Sequence, residues 1–115
     1  MYNYTTLEES QVEFLDISPA DEFPPGERIF VEIEGRPIVL FNIAGELFAI
    51  ADTCSHDDGP VGEGDLEGYS ITCPRHGARF DVRNGKVLQM PAGVDIPAYP
   101  VRVVNGIIQL GLPRN

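Results

Sequence analysis

Every cysteine and every histidine of this 115-residue chain lies in one stretch. It opens Cys54-Ser55-His56 and closes Cys73-Pro74-Arg75-His76, with residues 57 to 72 between the two pairs. Thiolate and imidazole are common ligands of soft and borderline metals, so metal chemistry that needs them has only this place to occur. Residues two apart in an extended segment point the same way, roughly 6 to 7 Å apart. Cys54 and His56 can therefore reach different atoms of one centre from a single loop, and Cys73 and His76, flanking Pro74-Arg75, can do so from a second. A disulfide between the cysteines is the alternative. A histidine at ligand spacing beside each cysteine argues instead for two thiolates in a reducing compartment.

Two centres accept this donor set. Tetrahedral zinc takes two Cys and two His, although zinc knuckles usually pair like ligands two to four residues apart, which Cys-x-His fits poorly. Sorted by atom type, the same four residues suit a binuclear iron-sulfur centre with two thiolates on one iron and two imidazoles on the other.

The elements that must hold these loops are short strands. Val12–Ile17 reads as a strand stopped by Ser18-Pro19, and in Arg28–Ile33 the residues Ile29, Val31 and Ile33 share one face at period two. Glu34-Gly35 turns the chain into Pro37–Ile43, too continuously apolar for an exposed strand, and Ala44-Gly45 turns it into Leu47–Ala51. These three form a meander. Gly59-Pro60, Gly62, Gly64 and Gly68 bend the backbone between the ligand pairs, with short strands at 65–67 and 69–72. Two hairpins turned by Asn-Gly pairs follow: Arg79–Val82 returns through Asn84-Gly85 as Lys86–Leu88, and Tyr99–Val104 through Asn105-Gly106 as Ile107–Leu110. A loop from Met90 to Pro97 separates them. About ten short strands without helical periodicity predict an all-β domain of packed antiparallel sheets. The length suits a single domain over 1–115, with 1–10 as a loose lead-in.

Asp plus Glu number 18 against 8 Lys plus Arg, a net charge of -10. That balance disfavours nucleic acid and anionic membranes and serves either solubility or attraction to a basic partner. The start, Met1 to Thr6, lacks the basic and apolar parts of a secretory signal, and no stretch has the apolar length of a bilayer span. A soluble, cytoplasmic protein is expected.

Cys54-x-His56, a sixteen-residue spacer and Cys73-Pro74-x-His76-Gly77 resemble the signature of the Rieske [2Fe-2S] family. The likeness continues through Gly77 to Asp81, the Asn84-Gly85 turn, Met90-Pro91-Ala92 and Tyr99-Pro100-Val101. It implies a Rieske fold of three antiparallel sheets with two cluster-binding loops at one tip, and a third loop around Pro91 leaning over the cluster. It also implies one [2Fe-2S] cluster per chain, held by Cys54, His56, Cys73 and His76, with the cysteines on the buried iron and the histidines on the outer one. Within the family the chain is most similar to small ferredoxins. The membrane-bound respiratory type has an extra cysteine in each ligand loop, where this chain has Gly59 or a neighbour and Arg75. That type also carries serine and tyrosine hydroxyls where this chain has Ala78 and Phe80. Without those donors the reduced state is less stabilised, which places the potential toward the low end of the range of roughly -150 to +300 mV.

The resemblance implies a one-electron carrier that takes electrons from a reductase and passes them to an oxygenase or another terminal redox enzyme, with no small-molecule substrate of its own. No histidine remains for a mononuclear iron site. The alternatives are a small subunit of an assimilatory nitrite reductase and a zinc-stabilised binding module. Asp57 and Asp58 read as a solvated pair or as tuning charges. Arg75 reads as a docking residue or an offset to nearby acids, and Phe80, Tyr99 and Met90 read as packing residues.

Overall fold

In the computed structural model, which describes residues 3–55, 59–75, 77–90 and 93–114, the chain forms three antiparallel sheets. The central one has the order β2-β3-β4-β9, from Arg28–Ile33, Arg36–Ile43, Glu46–Ala51 and Ala98–Tyr99. The second orders β1 (Val12–Pro19), β11 (Ile107–Pro113) and β10 (Val101–Val104). The third runs β5-β6-β7-β8, from Leu66–Glu67, Ser70–Thr72, Arg79–Asp81 and Val87–Gln89. The all-β expectation holds, and so does the meander.

The apolar run in β3 has a direct cause. Successive residues of a strand face opposite ways. Val39 and Phe41 enter a core shared with Ile71, Phe80 and both cysteines, while Ile38 and Leu40 enter a second core with Ile108, Leu110 and Leu112. All four are fully buried. A strand covered on both faces needs apolar residues at every position.

Turn chemistry positions the strands. Glu34-Gly35, Ala44-Gly45 and Asn105-Gly106 each place both residues at positive φ, between 53° and 94°, as two-residue hairpins that match strand twist require. Asn84-Gly85 behaves differently, and the expected two-residue hairpin is not formed there. Only Gly85 has positive φ (78°), and the turn spans Asp81 to Lys86, with the Asp81 N–H donating to the Lys86 carbonyl at 2.9 Å. The Asp81 carboxylate accepts the Arg83 N–H at 2.9 Å and holds this wider turn open.

Three further expectations change. Ser18-Pro19 does not stop the first strand. β1 continues to Pro19 across a bulge, because it is an edge strand where a proline's missing N–H leaves no ladder partner unsatisfied. Tyr99–Val104 is not one strand. Pro100 interrupts the ladder, so β9 pairs with β4 while β10 pairs with β11 in another sheet. The lead-in is not loose over its described part. Tyr4–Thr6 and Glu9–Gln11 form 3-10 turns, Asn3 bridges to Ala98, and the Tyr4 and Tyr99 rings lie 5.4 Å apart.

Candidate metal centre

The loop that carries Cys54 leaves β4 at Ala51. The Asp52 N–H donates to the Pro37 carbonyl on β3, and the Asp52 carboxylate accepts the N–H groups of Val61 (2.9 Å) and Gly62 (2.6 Å). One side chain thus ties the start of the loop to its end. Inside that closure the Cys54 N–H donates to the Gly59 carbonyl at 2.7 Å.

The second loop joins β6 to β7. The Cys73 N–H donates to the Ala78 carbonyl at 2.6 Å and the Gly77 N–H returns to the Cys73 carbonyl at 3.1 Å. Gly77 makes this reversal at φ +80°, a region that L side chains rarely adopt. The Gln89 side-chain amide, from β8, caps the Gly77 carbonyl at 3.1 Å.

The two loops touch. The Arg75 guanidinium donates to the Pro60 carbonyl at 2.7 Å. Gly64 packs so tightly under the second loop that a Cβ there would meet the Thr72 carbonyl oxygen at 1.7 Å. Ser55 also donates to the Val94 carbonyl at 2.5 Å, which joins the first loop to the segment before β9.

Cys54 and Cys73, predicted as ligands, meet in one core cluster with relative exposures of 0% and 1%. No disulfide links them. Among the described residues no carboxylate makes a third member of a ligand group with them. Two buried thiols opening two adjoining, internally bonded loops fit an iron-sulfur centre, because thiolate is its preferred ligand and the loop backbone is already ordered. His56 and His76 lie outside the described residues, as do Asp57, Asp58, Pro91 and Ala92.

Sequence reasoning missed Asp52 and Arg28. The only available signal was a short acceptor side chain two residues before Cys54, ahead of a glycine-rich segment. Arg75 acts as a tie between loops. Phe80 and Tyr99 are buried packing residues as expected, but Met90 is 74% exposed, because it follows the edge strand β8, whose residues Leu88 and Gln89 are also open to solvent.

The profile of the Rieske [2Fe-2S] domain matches residues 13–100. The chain belongs to the Rieske [2Fe-2S] domain family. An iron-sulfur cluster is therefore implied for it. Among Rieske relatives, the 3-phenylpropionate/cinnamic acid dioxygenase ferredoxin subunit of Escherichia coli (strain K12) is 40% identical over 98 residues, covering 84% of this chain and 91% of its own. The ferredoxin component of the naphthalene 1,2-dioxygenase/salicylate 5-hydroxylase systems of a Ralstonia species is 37% identical over 97 residues, covering 84% and 93%. A chain from the complex of reduced oxygenase and oxidized ferredoxin in carbazole 1,9a-dioxygenase superimposes with a TM-score of 0.81 at 28% identity, over 89% of this chain and 95% of that one.

Proposed function

We propose that this Rieske chain is a one-electron carrier, the ferredoxin component of a dioxygenase-type system, which receives electrons from a reductase and delivers them to a terminal oxygenase. The observation that carries this reading is near full-length similarity to dioxygenase ferredoxin components, joined to two buried thiols at adjoining loops. The chain acts as a carrier and not as a catalyst.

Cys54 and Cys73 would hold the inner iron, and His56 and His76 the outer one. Two cysteines and two histidines suffice for one cluster per chain. When bound, that group supplies a reversible one-electron couple. The chain's own part is to bury the thiols, exclude water from them with Val61, Ile71, Phe80 and Ala78, and keep the loops in a single geometry across both redox states. Among the described residues no helix is long and apolar enough to cross a membrane. The carrier works in the cytoplasm, where its two cysteines stay reduced. Residues 1–115 serve as one domain.

Electron paramagnetic resonance of the dithionite-reduced protein, with iron and acid-labile sulfide analysis, tests this. Equal iron and sulfide with the signal of mixed Cys/His ligation is expected. A colourless protein loaded with zinc would overturn it.

A further inference from the structure

Gly62 is held from both sides of its peptide. Its N–H donates to Asp52 Oδ1 at 2.6 Å, and its carbonyl accepts from Arg28 Nη1 at 2.5 Å. The same Arg28 nitrogen donates to the Gly64 carbonyl at 2.8 Å, and the same Asp52 oxygen accepts the Val61 N–H at 2.9 Å. An acid and a base thus grip one short segment through opposite backbone groups.

Both grips are mounted on the central sheet. Arg28 stands on β2 opposite Phe41 of β3, with its guanidinium 5.4 Å from the Phe41 ring centroid. Asp52 follows β4 directly and is anchored by its N–H to Pro37 of β3 at 2.9 Å. Gly62 itself leaves no room for slack. A Cβ there would meet Phe30 Cε2 at 2.8 Å, Asp52 Oδ1 at 3.0 Å and Val39 Cβ at 3.0 Å. Four hydrogen bonds, two to each side chain, thus fasten the Val61–Gly64 end of the loop that carries Cys54 and His56.

We propose that Asp52 and Arg28 are positioning residues, which clamp Gly62 and thereby set where the Cys54-His56 loop stands against the Cys73-His76 loop. The proposal rests on the functional reading above. It assigns to these two side chains a task that a ligand list omits: fixing the loop that carries the ligands to a rigid element.

The test uses the loaded wild-type protein and the variants Asp52→Ala, Asp52→Asn, Arg28→Lys and Gly62→Ala. It measures iron release to a chelator, the electron paramagnetic resonance line of the reduced protein and far-ultraviolet circular dichroism. Asp52→Ala is expected to release iron about 10-fold to 100-fold faster, the usual scale for losing an outer partner of a metal site, and to broaden the resonance while the circular dichroism stays unchanged. Asp52→Asn keeps an acceptor oxygen and should restore most of both readings. Arg28→Lys ends one atom short of the nitrogen that makes both bonds and should shift both readings in the direction of Asp52→Ala. Gly62→Ala crowds the Phe30 ring, the Asp52 carboxylate and Val39 together and should shift both readings in the same direction, and it decides the matter if Asp52→Ala fails to fold. Loaded Asp52→Ala or Gly62→Ala protein with the wild-type release rate and resonance overturns the proposal and leaves the functional reading standing. Wild-type protein without iron and sulfide removes both.

Discussion

The Arg75 guanidinium and the Pro60 carbonyl, on the Cys73 and Cys54 loops, meet at 2.7 Å, and a Cβ on the adjacent Gly59 would strike Arg75 Cζ at 2.7 Å. An exposed arginine thus straps one loop to the other. A charge-assisted bond at the surface contributes about 1 kcal/mol net.

Arg75→Ala is therefore expected to lower the melting temperature of the loaded protein by several degrees, with the visible colour lost at or before the loss of secondary structure. Arg75→Lys should recover part of this. Melting followed by visible absorbance and by circular dichroism checks it. An Arg75→Ala protein that melts like the wild type would deny the strap any role.

Glycine substitutions should divide by space. At Gly64 a Cβ would lie 1.7 Å from the Thr72 carbonyl oxygen, and at Gly45 (φ +94°) it would meet nothing within 4 Å. Gly45→Ala then carries only the left-handed penalty of roughly 1 to 2 kcal/mol. Gly64→Ala must move backbone between the Cys54 and Cys73 loops. It should lose several-fold more stability and load iron poorly, as urea unfolding and iron content would show. Equal costs at the two sites would contradict this packing.

Acid stability should depend on Asp81. Burial alone pushes its carboxyl upward, but the Arg83 guanidinium, at 3.0 Å and 2.8 Å to its two oxygens, and the Arg83 N–H outweigh that, with a smaller contribution from Lys86, so the net position is below the ordinary carboxylate value. A carboxyl lowered in the folded state adds stability that is present above its unfolded value of about 3.9 and is lost as pH falls through the lower folded value. Arg83→Ala removes the guanidinium and leaves burial opposed only by the residue-83 N–H and Lys86. Its melting temperature should be lower at neutral pH and fall less steeply between pH about 4 and 2. Parallel pH profiles for the two proteins would rule out this pair as the source.

Ala78 and Phe80 are both fully buried and carry no hydroxyl. Protein-film voltammetry is expected to give a potential toward the low end of the Rieske range of roughly -150 to +300 mV. Ala78→Ser should raise it, because a hydroxyl donor near the thiolates stabilises the more negative reduced state. A wild-type value well above zero at neutral pH, or an unmoved potential in the variant, would refute the assignment.

By itself the sequence determined the chemistry and the local geometry. Only four side chains are thiols or imidazoles, and all four lie between residues 54 and 76. The Glu34-Gly35, Ala44-Gly45 and Asn105-Gly106 turns were legible because a two-residue hairpin depends on its own residues and the strands beside it. The doubly covered β3 was legible from its unbroken apolar run, which no half-exposed strand can sustain. Whether Asn84-Gly85 makes the same tight turn was not legible, because the Asp81 side chain competes for the local N–H groups. Nor was the division of Tyr99–Val104 between two sheets, since Pro100 breaks a ladder only once strands on both sides compete for its neighbours. The tertiary structure alone brought Arg28 to Gly62 and Arg75 to Pro60. Contacts between residues far apart in the chain leave no local pattern, because their partners are chosen by how the sheets pack.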